Sequence, residues 1–332
     1  MEISILSTKW CRYGGWPTYK KHLQHALEAN GCKVNCISLE SPTGHHEWVT
    51  KIKELPIDSL LHIDVLQLDK CSDKIKNDLL NRELIVTIHD PTELKENNIK
   101  FLSSHKNLLV VFIRKSMLSH KKIGCIKHAV YIPHPYKCES NGNATGNRII
   151  CTSRIDYDKN IKIILEADCG IELWSAHINR IYDYHELKGI KNNLDYKGGF
   201  GSPKDVYPGA RALVDLSTIY GDGGGTQYTF LEAMDYGLQL ILNKEWATKK
   251  NNELIPGIHY IPVSTSKELK ETILKVRNSD IPIEMADAHE DILEEHNYER
   301  IGGLYKEVYT KWLSGNRSEF KNSTGIHNFF SK

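Results

Sequence analysis

No apolar run in this 332-residue sequence reaches the ~18 residues that a membrane-spanning helix needs, so none is expected. The opening Met1-Glu-Ile-Ser-Ile-Leu reads as the start of a strand, not as a signal peptide. Eight cysteines are scattered without a Cys-x-x-Cys pair, and no histidines cluster beside them, so a metal-ligand set is missing. They read as core thiols in a reducing cytosol, which makes a cytoplasmic location the expectation. An excess of one charge is missing too: 43 Lys and Arg stand against 42 Asp and Glu, a formal +1. Such a balance supplies no global pull towards nucleic acid. What is present, 40% hydrophobic and 26% charged residues, describes an ordinary globular protein long enough for two cores.

The richest stretch runs from Gly221 to Leu242. Four glycines and Asp222 favour a turn with positive φ, and a helix follows that Thr226 is placed to cap. That helix carries Leu231, Glu232 and Met234, stops at Gly237, and gives way to an apolar strand, Leu238 to Leu242. A polyglycine turn entering a helix presents backbone N–H groups beside a positive dipole end, which suits a phosphate. Gly223, Gly224, Gly225 and Thr226 are therefore candidate binding residues, with Glu232 in reach of the ligand.

The N-terminal part opens as a βαβ unit: strand Ile3 to Leu6, a helix from about Thr18 to Asn30, and strand Val34 to Leu39. Gly14 and Gly15 stand at its first turn, where open α/β sheets bind ligands. Ile63 to Leu68 is strand-like. Glu83 to Ile88 reads as a buried parallel strand ending in His89-Asp90, and Pro91 prevents an immediate helix. Leu108 to Ile113 is a further central strand. Arg114 to His128 holds no acidic residue; its cations Arg114, Lys115, Lys121 and Lys122 read most simply as a solvated helix face.

Lys137 to Asn147 is polar and reads as an interdomain linker. A second series follows: strand, Arg154, four residues, Lys159, then a helix from Ile161 to Ala167. Ile171 to Trp174, Leu194 to Lys197, Ala212 to Leu216 and His259 to Val263 supply further strands, and helices cover about 266–277 and 291–313. Ser314 to Gly325 has the composition of a disordered linker and leads into Ile326-His-Asn-Phe329-Phe330-Ser-Lys332.

This order of parts resembles the retaining GT-B glycosyltransferases of the family 4-like group, whose C-terminal domain carries Glu-Ala-Met-x-x-Gly. Here that motif is Glu232-Ala233-Met234-Asp235-Tyr236-Gly237. The resemblance implies an α/β fold of two Rossmann-like, doubly wound domains facing a cleft. Residues 1–140 would form the acceptor side and 147–290 the nucleotide-sugar side. Residues 291–313 would return as a helix to the N-domain, and 314–332 would be a flexible tail. It implies a UDP-sugar donor, a hexosyl or pentosyl transfer with retention, and neither a permanently bound cofactor nor a metal. Glu232 would hold the ribose, while Arg154 and Lys159 would neutralise the leaving diphosphate. Gly14, Gly15 and the turn Gly223 to Thr226 would approach the donor, and Gly198 to Gly201 the base. Three positions depart from the pattern. Gly224 stands where the family has a second Glu, and Ser153 and Asn160 replace glycines.

Thr18-Tyr-Lys, His89-Asp90 and Tyr228-Thr229-x-Leu231-Glu232 more narrowly resemble the T-even bacteriophage DNA α-glucosyltransferases. That resemblance implies DNA modification in an infected host cell, at hydroxymethylcytosine in duplex DNA. Arg114, Lys115, Lys121 and Lys122 are then candidate DNA contacts. Asp90 is the candidate base and His89 the sugar-positioning or charge-stabilising group, and the two could exchange roles. Ile326, Phe329 and Phe330 resemble a peptide that anchors in a DNA sliding clamp. Other readings stay open: a polysaccharide, lipid-linked or protein acceptor, a nucleotide-sugar epimerase, or a clamp-tethered module with an inactive core.

Overall fold

Leu84–Ile88 and Leu108–Phe112 are apolar almost from end to end, and every residue in both is buried. Such strands need cover on both faces, which parallel α/β sheets supply. The computed structural model describes residues 1–8, 15–39, 50–56, 59–64, 73–79, 81–140, 142, 146–175, 177–190, 195–218, 225–248, 252–321 and 327–328. In chain order its first strands are β1 (Glu2–Thr8), β2 (Lys33–Leu39), β3 (Leu60–Asp64), β4 (Leu84–Ile88), β5 (Leu108–Phe112) and β6 (Ala129–Tyr131). They continue as β7 (Arg148–Cys151), β8 (Ile171–Trp174), β9 (Asp195–Gly198), β10 (Ala210–Asp215), β11 (Gln239–Asn243), β12 (Ile261–Val263) and β13 (His327–Asn328). The chain divides into two units: Met1–Lys137 with Tyr220–Gly223 and Glu295–Lys332, and Cys138–Ile219 with Gly224–Glu294.

In the first unit a parallel sheet runs β13-β6-β5-β4-β3-β1-β2, so chain order reverses between β1 and β3. One face carries Leu61, Ile63, Val86, Ile88, Val110 and Phe112 into an apolar core with Leu79, Phe101 and Leu102 from the covering helices. The other face is polar in places: His62, Asp64, Thr87 and His89 are all buried. It is covered by the Gly15–Ala29 and Tyr298–Leu313 helices, through Tyr19, Tyr305 and Tyr309. Those two helices touch closely, because a Cβ built on Gly302 would lie 2.2 Å from the Ala26 carbonyl oxygen. Only glycine fits there.

The second unit's parallel sheet runs β12-β11-β10-β7-β8-β9 and reverses between β7 and β10. Both units are therefore doubly wound, and each places a switch point at the carboxyl ends of two named strands. Asp235, at the end of the Tyr228–Asp235 helix, accepts the backbone N–H groups of Glu139 (2.7 Å) and Ser140 (3.2 Å), which moors the start of this unit.

Several elements differ from the sequence reading. The first helix starts at Gly15, not about Thr18. The third strand is Leu60–Asp64, earlier than Ile63 to Leu68. The acid-free run is no helix: it forms two short 3-10 turns, Lys115–Ser119 and Lys121–Cys125, that bury Met117 and Ile123. The long last helix is two, Ile283–Glu295 and Tyr298–Leu313. The break falls where the Asn297 side chain accepts Glu299 N–H (2.8 Å) and His296 packs on His134.

The stretch after Leu313 is docked over its first part. Arg317 lies 4.6 Å over the Trp312 ring and meets Glu83 Oε1 at 2.6 Å, and Phe320 is fully buried beside the same ring. A stacked guanidinium and a buried aromatic outweigh a polar composition. Among the described residues no helix is long and apolar enough to cross a membrane. Gly14, Gly223, Gly224, Ile326, Phe329 and Phe330 lie outside the described residues.

Candidate functional site

The switch point of the second unit collects the first group of predicted residues. Arg154 and Lys159 follow β7 and converge on one carboxylate oxygen, Oδ2 of Asp158, at 3.0 and 3.8 Å. Arg154 also meets Asp156 at 3.1 Å and keeps half of its side chain exposed (51%), whereas Lys159 is largely enclosed (14%). Burial would raise the Asp156 pKa, but hydrogen bonds from Asn179 and Tyr157 N–H, with the Arg154 charge, hold it below the ordinary value.

The two replaced glycines find uses here. Asn160 adopts the left-handed conformation (φ 50°) that a glycine would hold, which Asn tolerates best among larger residues, and its amide donates to Leu216 O at 2.8 Å. Ser153 donates its hydroxyl to Asp215 Oδ2 at 3.0 Å. Asp215 closes β10, is buried, and also accepts the backbone N–H (2.8 Å) and the hydroxyl of Ser217. Lys159 Nζ donates to that same Ser217 oxygen at 2.7 Å.

Gly225 has φ 122°, open to glycine alone. Thr226 does not cap the following helix. Its N–H (3.0 Å) and hydroxyl both go to Glu253 Oε2, and Gln227 takes the cap position without a side-chain bond. Glu232 lies buried on that helix and accepts the Tyr207 hydroxyl at 3.0 Å. Burial pushes its carboxyl up to about 8. The Tyr207 ring is stacked on Tyr236, 5.4 Å between centroids.

In the first unit, His89 follows β4 and Asp64 ends the neighbouring β3. His89 Nε2 lies 2.8 Å from Asp64 Oδ1, and His89 N–H donates to Glu93 Oε2 at 2.8 Å. Burial alone would lower the imidazole's pKa; the Asp64 charge and hydrogen bond, with Glu93, raise it above the ordinary value. Burial also pushes Glu93 up to about 7. The Tyr19 ring stands edge-on to His89 at 4.8 Å.

Asp90 faces outward and is partly exposed. Its Oδ1 accepts the Thr92 N–H (2.9 Å) and hydroxyl (2.8 Å), capping a 3-10 turn, and Arg114 Nη1 is 3.9 Å from Oδ2. Arg114 and Lys115 are half-buried, Lys121 is exposed, and Lys122 Nζ donates to Leu94 O at 2.8 Å. The sequence reading singled out none of Asp64, Glu93, Tyr207, Asp215, Ser217 or Glu253. Two signals were present: an acid closing an apolar strand at Asp64, and another at Asp215.

No protein-family model matches the sequence, and no curated protein matches it either. Solved structures do match in fold. HepE from Anabaena, crystallised with UDP and glucose, is similar over 94% of this chain and 100% of its own, with a TM-score of 0.67 and 13% identity. A glycosyltransferase from Rickettsia africae is similar over 94% and 98% of the two chains, with a TM-score of 0.67 and 12% identity. An alpha-glucosyltransferase (AGT) in complex with UDP is similar over 94% and 99%, with a TM-score of 0.66 and 10% identity. At such identities the likeness is one of architecture. The chain has the GT-B fold, two parallel, doubly wound α/β sheets.

Proposed function

We propose that the chain is a UDP-sugar-dependent glycosyltransferase acting with retention, and that its acceptor is a hydroxymethylated pyrimidine in duplex DNA. The observation that carries the donor half is the convergence of Arg154 and Lys159 at the switch point of the second sheet, with Glu232 behind Gly225 in the same unit. Neighbours of this fold were crystallised with UDP, one of them an alpha-glucosyltransferase.

In this reading Arg154 and Lys159 take up charge on the diphosphate as the bond from the anomeric carbon to its phosphate oxygen breaks. The acceptor hydroxyl forms the new bond on the same face. Its proton passes to a phosphate oxygen of the departing UDP or to Asp90, the partly exposed carboxylate of the first unit. His89, held above its ordinary pKa by Asp64, suits the charge-stabilising role better than that of base. The His89-Asp90 strand end and the cations Arg114, Lys115, Lys121 and Lys122 support a DNA acceptor. A sliding clamp, bound through Ile326, Phe329 and Phe330, would be the delivery partner. No permanently bound cofactor enters the reaction.

Incubating the protein with radiolabelled UDP-sugars and hydroxymethylated duplex DNA tests both halves. Label entering DNA only with the hydroxymethyl group present is the expected result. Transfer only to saccharide, lipid-linked or protein acceptors would replace the DNA assignment. Donor consumption without any acceptor would replace transfer by hydrolysis or epimerisation.

A further inference from the structure

We infer that Asp215 and Ser217 are positioning residues for Lys159, a relay that aims the ammonium at the phosphates of a nucleoside diphosphate. The inference rests on the donor-site reading above and goes beyond it in assigning Asp215 and Ser217. Asp215 is an acid at the end of a strand whose preceding residues Ala212, Leu213 and Val214 are apolar, and it is buried to 4% exposure. A buried carboxylate is unfavourable unless its lone pairs are filled, and three donors fill these: Ser153 Oγ–H, Ser217 N–H and Ser217 Oγ–H.

A carboxylate only accepts, so the Ser217 hydroxyl proton is committed to Asp215. The Ser217 oxygen therefore presents a lone pair elsewhere, and Lys159 Nζ occupies it at 2.7 Å. The direction of the whole chain, ammonium to hydroxyl to carboxylate, follows from that single commitment. Ser217 is itself fixed, since its carbonyl accepts the Trp246 indole N–H at 3.0 Å.

A lysine side chain is long and rotatable, and an ammonium is a point charge without the built-in fork of arginine. One hydrogen bond to a rigid oxygen sets where the other two N–H groups point. The Asp158 contact, at 3.8 Å, is too long to do this. Arg154 is held by two carboxylates of its own loop, so the two cations are oriented by separate means.

Calorimetry with UDP and ligand-observed NMR titration with uridine on four variants test the relay: Ser217→Ala, Asp215→Asn, Lys159→Ala and the Ser217→Ala/Lys159→Ala double. Ser217→Ala and Asp215→Asn should each weaken UDP binding about tenfold, as loss of a charge-assisted hydrogen bond does, and leave uridine binding unchanged. In the Lys159→Ala background, Ser217→Ala should add nothing. Equal losses for UDP and uridine, or an undiminished effect of Ser217→Ala without Lys159, would overturn the inference. Ser217→Ala carries the test alone where Asp215→Asn fails to fold. Should Lys159→Ala itself bind UDP as the parent does, the donor-site reading fails first.

Discussion

His89 Nε2 and Asp64 Oδ1 stand 2.8 Å apart at the carboxyl ends of adjacent strands, both nearly shut off from water. The contact is set by sheet register. Asp64 pairs with Thr87 across β3 and β4, and His89 lies two residues beyond Thr87 on the same face. Thr87 is in turn bonded to His62 (2.5 Å) and Tyr19 (3.1 Å). The pair is therefore the end of a buried polar row, built on secondary structure and not on a loop.

Asp64→Asn should lower the His89 pKa, because burial is then opposed by Glu93 without the Asp64 charge. The sign of the stability effect follows. A histidine whose folded pKa is raised stabilises the fold fully below the unfolded value of about 6.5, and that contribution is lost as pH rises through the folded pKa. Thermal unfolding should separate parent from variant most at pH 5 to 6.5 and progressively less above. Glu93, pushed up to about 7, titrates nearby and feels both His89 and Asp64, so the comparison is made with Glu93→Gln in both proteins. A gap that widens with pH contradicts the pairing.

Glu232, pushed up to about 8 by burial, is mostly protonated at neutral pH in the unliganded protein. Ribose hydroxyls are best accepted by the ionised form, whose fraction grows as pH rises to about 8. UDP affinity should therefore increase with pH between about 6 and 8, approaching tenfold per unit, and level off above. Glu232→Gln should bind UDP more weakly and lose that rise. UDP ionises near pH 6 itself, but identically with both proteins. Calorimetry showing parallel pH profiles would leave Glu232 a purely structural acid bonded to Tyr207.

Turnover should fall about a hundredfold in Arg154→Ala and in Lys159→Ala, as charge-stabilising donors contribute roughly 3 kcal/mol in a transition state. The two cations meet at Asp158, so their losses should not simply add. Steady-state rates of both single variants near the parental value would remove them from the reaction.

The sheets were legible because their strands are largely apolar runs with local stops, as at Leu84–Ile88 and Leu108–Phe112. Arg154, Lys159 and Glu232 stood out as candidates because a strand, a fixed spacing and a helix sit next to them in sequence. Asp64 and the Asp215–Ser217–Lys159 relay were not legible, since His89 and Lys159 follow neighbouring strands, and that adjacency depends on strand order, which no local pattern encodes. The run from Arg114 to His128 misled for another reason. Its charges resemble a solvated helix, but Met117, Ile123 and Ile126 are buried between 3-10 turns. The break before Tyr298 is marked only by Asn297, a good cap inside an unbroken helical periodicity.

Gly302→Ala tests the seat of the last helix on the first unit. An added methyl would collide with the Ala26 carbonyl at 2.2 Å and with the Asn30 amide at 2.3 Å. Asn30 is itself bonded to Ala26 O and Glu299 O, so little can yield. Overpacking of this kind costs about 1–3 kcal/mol, read as a lower urea midpoint at unchanged slope. An unshifted midpoint would mean that the two helices separate freely.

The last expectation concerns DNA and the C-terminal residues. Phosphate contacts from Arg114, Lys115, Lys121 and Lys122 would make DNA affinity fall steeply with salt, while UDP binding hardly changes. Lys121 is exposed, whereas the exposed Lys122 already donates to Leu94 O, and Lys121→Ala should reduce the logarithmic salt slope by about 1 without altering UDP affinity. The tail is a separate matter. His327–Asn328 adds two residues beside β6, in parallel, a short pairing at the sheet edge. Arg317 and Phe320 dock the preceding stretch independently of it. Deleting residues 323–332 should thus leave the first unit folded and activity on short free duplexes intact. Capture of the protein by a sliding clamp should disappear, and the double change Phe329→Ala with Phe330→Ala should do the same, since aromatic anchors carry such contacts. Because the paired segment adjoins these anchors, clamp binding should also free the β6 edge, read as faster hydrogen exchange at Tyr131, whose amide faces that edge. A truncated protein that still binds the clamp removes the tether. A salt-independent acceptor affinity removes the DNA assignment and leaves a saccharide, lipid-linked or protein acceptor in its place.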